Sequence, residues 1–132
     1  MFDSTGNLYV GGNGAIIKVT PGLQQSTWVP NSSTSPSGRN LTVDAQDNIY
    51  GTQDGVAAYK YSQPNGMVSN LGYTGTSGIG IVSAPDGTLY TAGYIADGTA
   101  DTINKYDPTT ETWSVYFSPN SGQYVGYAYQ MA

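Results

Sequence analysis

Few residues in this chain are equipped for chemistry. Asp97 and Asp101 lie four residues apart beside Tyr94, and two carboxylates with backbone carbonyls could hold Ca²⁺ or Mg²⁺, which take hard oxygen ligands. The segment lacks the Gly-anchored Asp pattern of an EF-hand loop, so acids solvated in a loop are the plainer account. Tyr73, Tyr94 and Tyr124 fall in or next to segments that join strands. With Arg39 and Asn40, and with Asn31, Asn120 and Gln123, they could form a polar aromatic surface suited to a glycan. Lys18, Lys60 and Lys105 share one register. Three ammonium groups could meet one ligand, although stems packed between layers with their heads reaching solvent or a nearby Asp are the simpler account. Asp3, Asp44, Asp54 and Asp86 stand at turns, where Asp accepts local backbone hydrogen bonds.

What is missing narrows the chemistry further. There is no His and no Cys, which removes thiolate nucleophiles, disulfides, the usual zinc sites and any serine nucleophile that relies on imidazole. Glu111 is the only Glu. Nine acidic residues face four basic ones for a net charge of -5, and three of the four basic residues are spread one per repeat. Nucleic acid, whose phosphates need clustered Lys and Arg, is thereby excluded as a partner, and an anionic membrane surface with it. No apolar run of about 18 residues is present for membrane insertion, and no N-terminal segment reads as a signal peptide.

The elements that must position these residues are short strands in repeated units. The stretch Ser37 to Tyr61 reads as three strands with tight turns, and parts of it recur on both sides. Tyr9, Tyr50 and Tyr90 close the second strand of each copy, 41 and 40 residues apart, and the lysines follow in the third strand, 42 and 45 apart. Runs rich in Val, Ile, Thr and Tyr, bounded by Gly, Pro, Asn and Asp, are a strand and hairpin signal, and no helical spacing competes with it. A period in the forties built from such strands predicts an all-β fold of β-propeller blades, with three four-stranded antiparallel repeats per chain. The whole chain, 1–132, reads as a single propeller unit with repeats at about 1–36, 37–76 and 77–120.

In the second copy the strands are expected at Leu41 to Asp44, Asn48 to Thr52, Val56 to Tyr61 and Met67 to Leu71; in the third, at Ile79 to Ser83, Thr88 to Ala92, Thr102 to Tyr106 and Trp113 to Phe117. The loop Gly93 to Asp101 is an insertion relative to the other copies. The first copy lacks its opening strand, and the alternating tail at about 123–131 supplies one. A chain that starts inside a unit is expected of a mature fragment, an excised piece or an engineered one. Three blades around an axis would leave wide apolar gaps. The closing strand is therefore expected to pass to a second copy, giving a six-bladed ring as a homodimer, unless the chain is half of a longer one.

The segments Phe2 to Val10, Thr42 to Gly51 and Ser83 to Thr91 resemble the blade segment "VDxxGNIYV" of NHL, gluconolactonase and streptogramin-lyase propellers. Tyr59 to Gly66 and Asn104 to Trp113 resemble the third strand and outer turn of the same blades. Enzymes of that superfamily use acidic and amide ligands to a divalent cation, or a His, near the central channel. The chain has no His to match the lyase type, and Glu111 falls in an outer hairpin. Asn40 sits at the start of an inner strand, but Gly80 holds the equivalent place in the next copy, so no catalytic residues carry over. The expected function is a noncatalytic binding or scaffold module of extracellular or periplasmic origin, needing no cofactor and engaging a glycan or a protein surface. The opposing readings are a fragment of a lactonase or polysaccharide lyase, with Ca²⁺ or Mg²⁺ and a Tyr or Lys as base, and an engineered or excised half-propeller with a purely structural role.

Overall fold

A computed structural model describes residues 1–12, 15–30, 40–52, 57–74, 77–94 and 101–118. The expected closing strand at 123–131 lies outside these residues, as do the Asp54-Gly55 turn and Arg39, Asp97 and Tyr124. Eleven strands are described: β1 (Leu8–Gly12), β2 (Ala15–Val19), β3 (Gln25–Val29), β4 (Asn40–Val43), β5 (Ile49–Thr52), β6 (Ala57–Ser62), β7 (Met67–Tyr73), β8 (Ser77–Ser83), β9 (Leu89–Tyr94), β10 (Asp101–Asp107) and β11 (Thr112–Phe117). They form three antiparallel meanders, β1-β2-β3, β4-β5-β6-β7 and β8-β9-β10-β11. In the first sheet Met1 and Phe2 stand where an inner strand would end: Phe2 bridges Leu8, and Met1 exchanges backbone hydrogen bonds with Tyr9.

The alternation of side chains along each strand gives every sheet two faces. One face of the first blade (Tyr9, Ile16 and Val29) closes on Ile49 and Tyr61 of the second, with Trp28, Leu41, Val43, Tyr59 and Val68 around them. The opposite face of the second blade (Tyr50 and Ala58) closes on Ile81, Leu89 and Tyr106 of the third, with Leu71 and Trp113 at the edge. The core is therefore two seams between blades. Indole N–H groups tie both seams: Trp28 Nε1 donates to Pro64 O at 2.8 Å, and Trp113 Nε1 to Leu71 O at 2.9 Å. The two tryptophans stand in outermost strands yet reach the second blade from opposite sides.

The outer hairpins share a turn geometry. Leu23, Gly66 and Glu111, each two residues before the strand partner of Val19, Tyr61 or Tyr106, all have positive φ, at 60°, 65° and 54°. At Gly66 a neighbour presses on the backbone: a Cβ there would stand 2.7 Å from Val29 Cγ2 and 3.0 Å from Trp28 O. Gly87 has φ 85° with nothing within 4 Å of its Cβ position. Gly87→Ala should therefore cost only the left-handed backbone penalty, about 1 kcal/mol. Gly66→Ala should cost about 1–3 kcal/mol more through overpacking of the first seam. Equilibrium denaturation of the two variants measures that difference.

Candidate functional site

The meander topology sorts the chain into two ends. The turns β4-β5 and β6-β7, with their counterparts in the other blades, lie at one end. The β5-β6 loops and the connections from each outer strand to the next inner strand lie at the other.

At the turn end the carboxylates are already engaged. Asp3 Oδ1 accepts from the backbone N–H groups of Thr5 and Asn7, at 3.0 and 2.9 Å, and from the Thr5 hydroxyl, while Oδ2 accepts from Asn7 Nδ2 and the Tyr9 hydroxyl. Asp44 repeats the pattern: Oδ1 accepts from Gln46 N and Asn48 N, and Oδ2 from Asn48 Nδ2 and Tyr50 Oη, all at 2.8–2.9 Å. In the third copy Ala84 holds this place, and Asp86, two residues on, accepts from Thr88 N. Asp47, at φ 61°, reaches across the seam and accepts from both the backbone N–H and the hydroxyl of Ser4.

The lysines complete these clusters. Lys18 is the cross-strand partner of Tyr9, Lys60 of Tyr50 and Lys105 of Tyr90. The Nζ of Lys18 stands 5.5 Å from the Tyr9 ring centroid, and that of Lys60 stands 5.8 Å from the Tyr50 ring, within cation–π range. Lys18 and Lys60 are thus tied to the tyrosine of their own blade, and Lys105 stands across the ladder from Tyr90, so the three lysines belong to three separate blades. Burial first, then its hydrogen bond to Asp44 and that carboxylate's charge, push the Tyr50 hydroxyl well above the ordinary phenol range. It is a fixed donor at neutral pH and poorly suited to act as a base.

Burial raises the Asp3 carboxyl, but hydrogen bonds from Asn7, Thr5 and Tyr9 outweigh it and hold the group at about 2. Asp44 is likewise held below its ordinary 3.8, burial opposing and the Asn48, Tyr50 and Gln46 bonds prevailing. A carboxylate depressed in the folded state stabilises fully above its unfolded pKa and loses that contribution as pH falls through the folded value. Stability measured by denaturant titration should therefore hold down to about pH 4 and decline toward pH 2. Asp44→Asn should lower stability at neutral pH by about 1–3 kcal/mol and flatten the acid limb.

The other end gathers most of the candidate ligand residues that are described. Asn40 opens β4 opposite Thr52, Tyr73 closes β7 opposite Ala57, and Tyr94 closes β9 with Ser77 on one side and Asp101 on the other. The expected loop from Gly93 to Asp101 is thus shorter than its sequence span. Gly93 and Tyr94 continue β9, and Asp101 begins β10, because the ladder runs on through the Thr102–Gly93 and Asp101–Tyr94 pairs. Arg39, Asp97 and Tyr124 lie outside the described residues, among which no group of three acidic residues could hold a metal ion. Near this end the second seam turns polar. Asn104 Nδ2 donates to Thr74 O, while the buried hydroxyls of Thr52 and Thr91 have no hydrogen-bond partner among the described residues. Sequence reasoning missed these two threonines; their only trace is Thr at apolar-phase positions of β5 and β9. An unsatisfied buried hydroxyl costs about 1–3 kcal/mol. Thr91→Val, nearly isosteric, should raise the thermal midpoint in calorimetry, and a lowered midpoint would show that the hydroxyl is solvated.

No protein-family model matches the chain, and no curated protein matches it. Among solved structures, a nidogen/laminin complex aligns over 80% of this chain and 41% of that chain, with a TM-score of 0.63 and 18% identity. At that identity the likeness establishes the fold: three antiparallel sheets stacked as propeller blades. The chain spans less than half the length of the chain it matches.

Proposed function

We propose that the chain is a noncatalytic module of the NHL, gluconolactonase and streptogramin-lyase type, whose loop end binds the surface of another protein. The observation that carries this reading is the division between the two ends. The carboxylates and hydroxyls of the turn end are hydrogen-bonded to one another, and Asn40, Tyr73, Tyr94 and Asp101 hold strand-end positions on the opposite side. Tyr50, held as a donor, does not supply the base that the enzyme reading needs. A complex of two proteins as structural neighbour supports a protein surface over a glycan as the ligand. The assembled form in this reading is a six-bladed ring of two chains.

A displayed random-peptide library, an immobilised glycan array and Ca²⁺ addition in a thermal-shift assay separate the alternatives. Peptides should enrich, and their binding should fall about tenfold or more in Tyr73→Ala and Tyr94→Ala. Asp86→Asn at the turn end should leave binding unchanged. Glycan binding without peptide binding would overturn the choice of ligand. A thermal midpoint raised by Ca²⁺ and lost in Asp101→Asn would favour a metal-dependent site instead.

A further inference from the structure

The seam between the first and second blades is built on an aromatic pair, and the third blade carries the same pair with no cover among the described residues. In the first blade Tyr9 and Trp28 meet edge to face with centroids 4.8 Å apart. In the third, Tyr90 and Tyr116 meet in the same manner at 5.1 Å. The match is positional. Tyr9 and Tyr90 both pair with the register lysine, and Trp28 and Tyr116 are both the extra residue at a register shift in the outer strand, followed by Val29 opposite Ile16 and by Phe117 opposite Ile103. The first pair is capped by the outer turn of the second blade: Gln63 Nε2 donates to the Tyr9 hydroxyl at 2.8 Å, Trp28 donates to Pro64 O, and Gly66 presses on Val29. Tyr116 is 62% exposed and Phe117 47%.

The complementary face lies on the first blade. Ile49 and Tyr61 are what the second blade presents to the first, and the same positions in the first blade are Leu8 and Val19, joined on that face by Val10 and Ile17. In its outer turn Leu23 occupies the register of Gly66, with a positive φ and a side chain 83% exposed. A strained, solvent-facing leucine has no partner among the described residues. It stands where a seam of the first type would set it over Tyr116 and Phe117.

We propose that the first blade of a second copy docks on the Tyr90–Tyr116 face of the third, repeating the seam already formed twice within the chain, with Leu23 of that copy covering Tyr116 and Phe117. The contact is head to tail, so two copies close it twice. This deepens the six-bladed reading and rests on it.

Sedimentation velocity across a dilution series tests the joint. The unaltered chain should run at the mass of two copies and dissociate on dilution. Leu23→Asp and Tyr116→Asp should each weaken association about 30-fold or more, the change expected of an interface hot spot. Asp tolerates a positive φ, so Leu23→Asp preserves the monomer's turn, and unaltered circular dichroism checks both variants. Met67→Asp, equally exposed at 68% but outside the joint, should leave association unchanged. Leu23→Asp combined with Tyr116→Lys should restore part of the lost affinity. An unaltered chain that is monomeric at every concentration overturns the ring itself. A dimer that survives both Asp substitutions overturns this joint while leaving a dimeric ring standing.

Discussion

Each sheet in this chain has two sides to bury, and the burial of one blade against the next is the constraint on which the rest depends. A meander of short strands cannot shield its own faces, because alternate side chains must point to opposite sides of the sheet. Tyr9, Ile16 and Val29 gain their dry environment from Ile49 and Tyr61, and Tyr50 and Ala58 from Ile81, Leu89 and Tyr106. Polar ties then fix the register of one blade on another. The indoles of Trp28 and Trp113 reach backbone carbonyls of the second blade, Asp47 holds Ser4, and the backbone N–H of Ser83 donates to Thr42 Oγ1.

The same arrangement divides labour along the strands. At the turn end, short connections place Asp, Asn and Tyr within hydrogen-bonding distance of one another, so those groups stabilise the blade and are withdrawn from other chemistry. Aromatic, amide and acidic residues accumulate at the ends of β4, β7, β9 and β10 on the opposite side. The lysines join the stabilising group, since each answers the tyrosine directly across the ladder.

Much of the fold was legible in the sequence because the repeat is carried by strand-specific residues. The spacing of Tyr9, Tyr50 and Tyr90 marked the second strands, and the lysines marked the third, where the ladder pairs them directly. What escaped detection depends on parity and on partners. Trp28 is the extra residue at the register shift near Ile16, the place Tyr116 holds in the third blade, whereas Trp113 pairs in register with Tyr106, so the two tryptophans serve opposite faces although both occupy outermost strands. Asp86 reads as the counterpart of Asp3 and Asp44 until the ladder is aligned, whereupon Ala84 is found in their place. Tyr94 and Asp101 read as loop residues because the stretch from Gly93 to Asp101 is an insertion relative to the other copies, yet pairing across the ladder extends both strands. Arg39, Asn40, Tyr73, Tyr94 and Tyr124 were singled out by type and place, and the three that are described stand at one end of the stack.

Among the described residues, the middle blade is the one whose two faces are both covered. Sheets stacked in this way behave as a one-dimensional array, in which stability is the sum of intrinsic terms for each unit and coupling terms for each junction. An end blade is held by one junction, and the middle blade by two. Contacts inside each meander are local in sequence, whereas the junctions join residues about one repeat apart, so loop closure favours forming sheets before seams. Opening is then expected to begin at the outer blades and leave the middle one as the last cooperative unit, its amides the slowest of the chain to exchange with solvent.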